Sequence, residues 1–132
     1  MLVTDHFAME NFAEIHGITF PTGVAVAPDE SLLYATDYFA GKVSVVDLAQ
    51  KTVTATIPVG PDPYGAALSP YGDRLYVAHF GSDSVSVIDT TNLTVICTIP
   101  VPDGPRGVAV NHGGTRLYVT NFFADSVTVI EL

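Results

Sequence analysis

An all-β fold of repeated four-stranded antiparallel units is predicted for this chain by three observations. First, the sequence superposes on itself without a gap at a period of 42. Gly23, Gly65 and Gly107 coincide, as do Tyr34, Tyr76 and Tyr118, and Val45, Val87 and Val129. A fixed period of this size marks an architecture in which each repeat is one supersecondary unit. Second, each unit holds four short runs rich in Val, Ile, Tyr and Thr, cut by Gly, Pro, Asp and Ser. In the second unit these are GAAL, RLYVAH, SVSVID and LTVICTIPV, and such runs read as strands. Third, no window keeps the apolar stripe of an amphipathic helix.

Four antiparallel strands in about 40–45 residues is the pattern of a β-propeller blade. With the strands lettered a to d from inside outward, the frame divides a single domain, 1–132, into two whole blades, 21–62 and 63–104, the a, b and c strands of a split blade, 105–132, and part of its c and d strands, 1–20. GVAVA, GAALS and GVAV suit strand a, where the ring is narrowest and small residues relieve crowding. The glycine after each Pro-x pair lets the chain turn in closely behind a proline-fixed bend. Pro28–Ser31 and Pro70–Asp73 are the a–b hairpin turns, and Asp47 and Asp89 close the c strands, where a carboxylate accepts backbone N–H groups of the next turn. Neighbouring blades cover both faces of each sheet, which explains runs that are apolar rather than alternating. Tyr34, Tyr76 and Tyr118 are expected between blades, and Thr52, Thr54, Thr56 and Thr94 on the outer strands.

The two ends complement each other. A d strand is expected around 12–18, and Ser126–Glu131 is a c strand with no d partner after it. An unpaired edge rich in Val and Ile invites pairing with another chain. Propellers have about 4–8 blades, so three cannot close a ring. Two chains supply six, each N-terminal d strand completing the partner's last blade, and a homodimer is the expected partner arrangement. Met1–His6 duplicates the c position that Ser126–Glu131 fills, so Met1 to about Met9 is expected to be displaced or disordered.

Composition excludes several classes. Fourteen acidic against five basic residues give a net charge of -9, which argues against nucleic acid. No apolar run approaches the roughly 20 residues of a membrane span. The start MLVTDHFAMENF has neither the basic nor the apolar region of a secretory signal. One cysteine, Cys97, gives no intramolecular disulfide and no cysteine-only zinc site. His6, His16 and His112 fall at unrelated frame positions without metal-ligand spacing. Nothing calls for a metal or another cofactor. Asp29, Glu30, Asp73 and Asp83 read as turn and solubility charges.

The strings LYATD, LYVAH and LYVTN, with PxGVAV-like runs upstream and VSVID-like runs downstream, resemble the YVTN-repeat family of β-propellers. The third unit carries the namesake string at Tyr118 to Asn121; the others depart from it at Ala35, Ala78, Asp37 and His79. The resemblance implies that a ligand would meet the ring face carrying the d–a and b–c loops. On that top face the residue between Pro and Gly varies most, giving Thr22, Tyr64 and Arg106 around the channel mouth. Arg106 is the expected anion or carboxylate contact. The b-strand ends would bring Asp37, His79 and Asn121 there too, where they either bind a ligand or cap their own b–c turns. Tyr38, Phe80 and Phe122 recur in every unit and are expected to pack between blades, whereas Phe39 and Phe123, opposite Gly81, are free to contact a ligand.

The near-identity of the units favours a non-enzymatic, self-assembling scaffold or binding module, with any ligand at the channel mouth. One alternative, implied by the resemblance to propellers that include such enzymes, is a lactonase- or lyase-type enzyme using His79 as base and Arg106 as electrophile. Another is a fragment of a larger cell-surface protein, which the resemblance suggests.

Overall fold

The computed structural model describes residues 13–132, and these build three antiparallel sheets in sequence order. The first holds β1 (Pro21–Val26), β2 (Leu32–Asp37), β3 (Lys42–Asp47) and β4 (Thr52–Pro58); the second holds β5 (Pro63–Leu68), β6 (Arg74–His79), β7 (Ser84–Asp89) and β8 (Thr94–Pro100). The third is β9 (Pro105–Val110), β10 (Arg116–Asn121) and β11 (Ser126–Glu131). Each sheet is an up-and-down meander. The innermost strands lie side by side, β1 against β5 and β5 against β9, so the sheets stack as propeller blades.

The turns explain why the frame is fixed. Glu30, Gly72 and Gly114 occupy the left-handed region in the a–b turns, and Gly41, Asp83 and Asp125 do so in the b–c turns. Lys51 and Leu93 repeat it in the c–d turns, and Asp62 and Gly104 in the d–a links. Successive members of each set stand one full repeat apart, although only some are glycine. Asp47 Oδ1 accepts the amides of Ala49 and Gln50, and Asp89 Oδ1 those of Thr91 and Asn92. These bonds hold the c–d turns in the form the sequence expects.

Two apolar cores lie between the three sheets. Tyr34, Val43, Val45 and Ile57 of the first sheet pack on Leu75, Val77 and Ile88 of the second. Tyr76, Val85 and Val87 of the second pack on Leu117 and Val119 of the third. Each aliphatic side chain so buried contributes about 1.5–3 kcal/mol over leaving it in water. Tyr118 is only half-buried, because no described residue stacks on the outer face of the third sheet.

Every innermost strand carries a bulge at its Pro-x-Gly start. Pro21 pairs with Asp37 and Val24 with Ala35, so three steps on β1 answer two on β2, and the same shift recurs at Pro63 and Pro105. The extra residue re-aims the x position and brings the glycine against the next blade. A Cβ on Gly23 would lie 2.5 Å from the Tyr64 carbonyl oxygen, and one on Gly65 would lie 2.3 Å from that of Arg106. Only glycine permits this approach.

One expected element differs. Residues 13–18 form no strand, because a d strand exists only by pairing with a c strand and none lies beside it among the described residues. The segment nevertheless enters the frame correctly. The Tyr38 amide donates to the Phe20 carbonyl, as Phe80 does to Asp62 and Phe122 to Gly104. The expectation for Met1 to Met9 falls outside the described residues.

Gly65→Ala is expected to cost about 1–3 kcal/mol through overpacking against backbone that cannot rotate away. Gly113→Ala, where a Cβ meets nothing within 4 Å, should be nearly neutral. Urea denaturation of the two variants checks the difference.

Candidate functional site

The top face is built where the d–a links, the bulged strand starts and the b–c turns converge. Six residues were expected at this mouth, and the structure divides them into two layers.

The inner layer is sealed. Asp37, His79 and Asn121 end β2, β6 and β10 but are buried inside the blades, not presented at the mouth. Asp37 accepts the Thr19 amide on Oδ2 and that of Ala40 on Oδ1. His79 is 2% exposed. Its Nδ1 lies 2.7 Å from the Pro61 carbonyl oxygen, which can only accept, so Nδ1 carries the hydrogen. Nε2 therefore accepts from Ser86 Oγ at 2.6 Å. Asn121 Nδ2 donates to Ser126 Oγ and Thr128 Oγ1. For His79 and Asn121 the partner is a second polar position that the motifs did not reveal. Ser44, Ser86 and Thr128 occupy the same place in successive units, each on a c strand opposite the residue two before the end of its b strand. The signal was present as one hydroxyl residue recurring between valines in VSVVD, VSVID and VTVIE. Two atoms of this layer, Ser44 Oγ and Asn121 Oδ1, have no hydrogen-bond partner.

Thr22 is also occupied. Its Oγ1 lies 2.9 Å from the Pro63 carbonyl oxygen and 3.0 Å from Thr36 Oγ1, which itself donates to the Tyr64 carbonyl at 2.7 Å. The pair ties the first blade to the start of the second.

The outer layer is an aromatic rim. Phe20 meets Phe39 at 4.7 Å and Tyr38 at 5.8 Å; Tyr38 meets Tyr64 at 6.1 Å; Tyr64 meets Phe80 at 5.7 Å; Phe80 meets Phe123 at 5.3 Å and Phe122 at 6.5 Å. Phe39 and Phe123 are exposed. Phe122 is exposed as well, not packed between blades as expected, because no described residue lies on its far side.

Arg106 sits within this rim. Its guanidinium carbon is 4.8 Å from the centre of the Tyr64 ring, 4.9 Å from Phe122 and 5.9 Å from Phe80, and Nη2 donates to the Tyr64 hydroxyl at 2.8 Å. No carboxylate among the described residues pairs with it. Of the six expected residues, the structure therefore brings together Tyr64 and Arg106, and adds the rings of Phe80 and Phe122 to them. Among the described residues no three His, Cys, Asp or Glu side chains converge to hold a metal ion.

The chain as a whole matches known proteins. Residues 11–123 match the family described as SGL, the SMP-30/Gluconolactonase/LRE-like region. The chain belongs to that family. Its members are six-bladed β-propellers. A solved chain described as Kuenenia stuttgartiensis hydrazine synthase is similar in structure, with a TM-score of 0.82 and 29% identity over 93% of this chain. The match spans 36% of that neighbour's length. Comparison with curated protein sequences finds no match.

Burial pushes the His79 imidazole below the usual histidine range, against the opposing pull of the Pro61 carbonyl and the Asp62 charge. The folded chain holds it neutral while the unfolded chain protonates it near pH 6.5, so the unfolded state binds the extra proton and stability falls as the pH drops through about 6.5. His79→Asn, which places at His79 the residue type found at Asn121, should remove that part of the acid sensitivity. Thermal denaturation of both proteins between neutral and mildly acidic pH checks it.

Proposed function

We propose that this chain is a non-enzymatic β-propeller scaffold or binding module that takes a flat, anionic ligand at the top-face rim. The observation that carries the reading is Arg106, a guanidinium framed by Tyr64, Phe80 and Phe122 with no carboxylate among the described residues paired to it. A guanidinium between rings is oriented and partly stripped of water, yet it keeps N–H donors for an incoming oxyanion. Exposed Phe39 and Phe123 extend the rim with apolar surface on which a planar group can stack. An aromatic carboxylate satisfies both demands, the anion on Arg106 and the ring on the phenylalanines. Within the family we read the units as YVTN-type repeats, on Tyr118 to Asn121. That reading also suits a segment of a larger cell-surface protein.

Family membership favours a second reading, a lactonase- or lyase-type enzyme with its site at the channel. Arg106 can polarise a carbonyl at the rim. His79 cannot act there as the base, since both its ring nitrogens are bonded inside the blade. Turnover of a lactone panel by the unmodified chain, lost in Arg106→Ala, would establish this reading in place of the first.

The chain has no tryptophan, and Tyr38 and Tyr64 lie in the rim, so tyrosine emission reports on binding directly. Titration with benzoate should change it, and benzyl alcohol should not. Arg106→Ala should abolish the response. Arg106→Lys should weaken it about tenfold, ~1.4 kcal/mol, because a lysine ammonium cannot stack and fork at once. Equal response to the neutral analogue would rule the reading out.

A further inference from the structure

We infer that the outer face of the third blade docks onto the first blade of a second copy of this chain, closing a ring of six blades from two chains. This goes beyond the ligand reading and does not depend on Arg106.

The surface is a blade interface with one side bare. In the first two blades the c-strand valines face the next sheet: Val43 and Val45 are 0% and 4% exposed, and Val85 and Val87 are 0% and 7%. Their third-blade equivalents, Val127 and Val129, are 60% and 54% exposed. The opposite side is bare at the other end of the chain. Val24 and Val26 are 59% and 49% exposed, whereas Ala66 and Leu68, their second-blade equivalents, pack into the first core.

The backbone shows the same gap. Gly23 and Gly65 are glycines because the carbonyls of Tyr64 and Arg106 press on them. Gly107 holds the same bulge, yet a Cβ there would meet only the Thr120 side chain, at 3.1 Å. The frame position that should press on Gly107 is the one before the glycine of the next blade. In a second copy that position is Thr22.

Strand pairing specifies the register. β11 pairs with β10 alone among the described residues, while β3 and β7 each carry a d strand. Val43 pairs with Ile57 and Val85 with Ile99. The same spacing pairs Val127 with Ile15 of the partner subunit, from the segment 13–18 that forms no strand within its own chain. Ile57, at the equivalent place, is fully buried.

A second copy supplies a counterpart for each bare part. One chain carries both the bare leading face and the bare trailing face, together with the edge and the unpaired segment that would complete it. Both contacts are continuations of the interface already formed twice between its blades. Twice three blades is also the blade number of the family.

Light scattering of the full chain at micromolar concentration should give twice 14.0 kDa, with tighter association at higher salt as the -9 charge of each copy is screened. Val127→Asp and Ile15→Asp should each yield monomers with unchanged far-ultraviolet circular dichroism. Gly107→Ala should weaken association at least tenfold without the loss of stability expected of Gly65→Ala. Ile15→Cys and Val127→Cys chains, each with Cys97→Ser, should form a mixed disulfide dimer when combined. The mass of a single chain, a threefold or open-ended series, or a dimer indifferent to Ile15 and Val127 would overturn the inference. Benzoate binding by a monomer would separate that failure from failure of the ligand reading.

Discussion

The structure depends on a contact between backbones: the innermost strand of one blade against the innermost strand of the next. At Gly23 and Gly65 the approach leaves no room for a methyl group. The Pro-x-Gly bulge makes it possible, because the extra residue turns the glycine toward the neighbour. Once the inner strands are this close, the b and c strands behind them stack at a fixed distance, and their valines, leucines and isoleucines interdigitate. The same bulge also fixes the site. It sets Thr22, Tyr64 and Arg106 at the start of successive inner strands, so the spacing of the channel-mouth residues is inherited from the packing.

The sealed polar layer beneath the rim follows from strand pairing. Each b strand ends beside the start of a c strand, and a polar side chain there is closed off from water by the b–c turn. Such groups must be bonded internally or they cost about 1–3 kcal/mol each. Asp37 and His79 meet that demand with different partners, and Asn121 meets it through Nδ2 alone, so the same position holds an acid, an imidazole and an amide. Variation at this position therefore marks alternative ways of satisfying one buried layer, whereas variation between Pro and Gly at Tyr64 and Arg106 changes what the surface presents.

The architecture was largely legible because the repeat states each element three times. Strand runs, hairpin turns and the Asp47 and Asp89 caps could be read from spacing and turn chemistry. The left-handed residues could not be, since Glu30, Lys51 and Leu93 are not turn formers by type and adopt that backbone because the frame imposes it. The site was legible in part. Arg106 and Tyr64 stood out as variable positions in a constant frame, but the guanidinium's seat among three rings depends on contacts between blades. His79 was misplaced for a related reason. The atoms that seal it, the Pro61 carbonyl and Ser86 Oγ, lie 18 and 7 residues away and belong to no local motif.

The rim diverges where the core does not, and the difference is one of coupling. A core side chain in an inner blade touches two sheets, so a change in it must be accommodated on both sides at once. A rim position answers mainly to one partner across its d–a link. Phe20 stacks on Phe39; at the next unit Asp62 fills the space that Gly81 leaves, and at the third Phe123 fills that of Gly104. Size and chemistry are exchanged within each pair while the frame is kept. The middle pair thereby replaces two rings with one carboxylate, while Tyr64 and Phe80 carry the aromatic wall from the first blade to the third. Arg106 stands where the rings of the second and third blades meet, a setting that three identical units could not have produced.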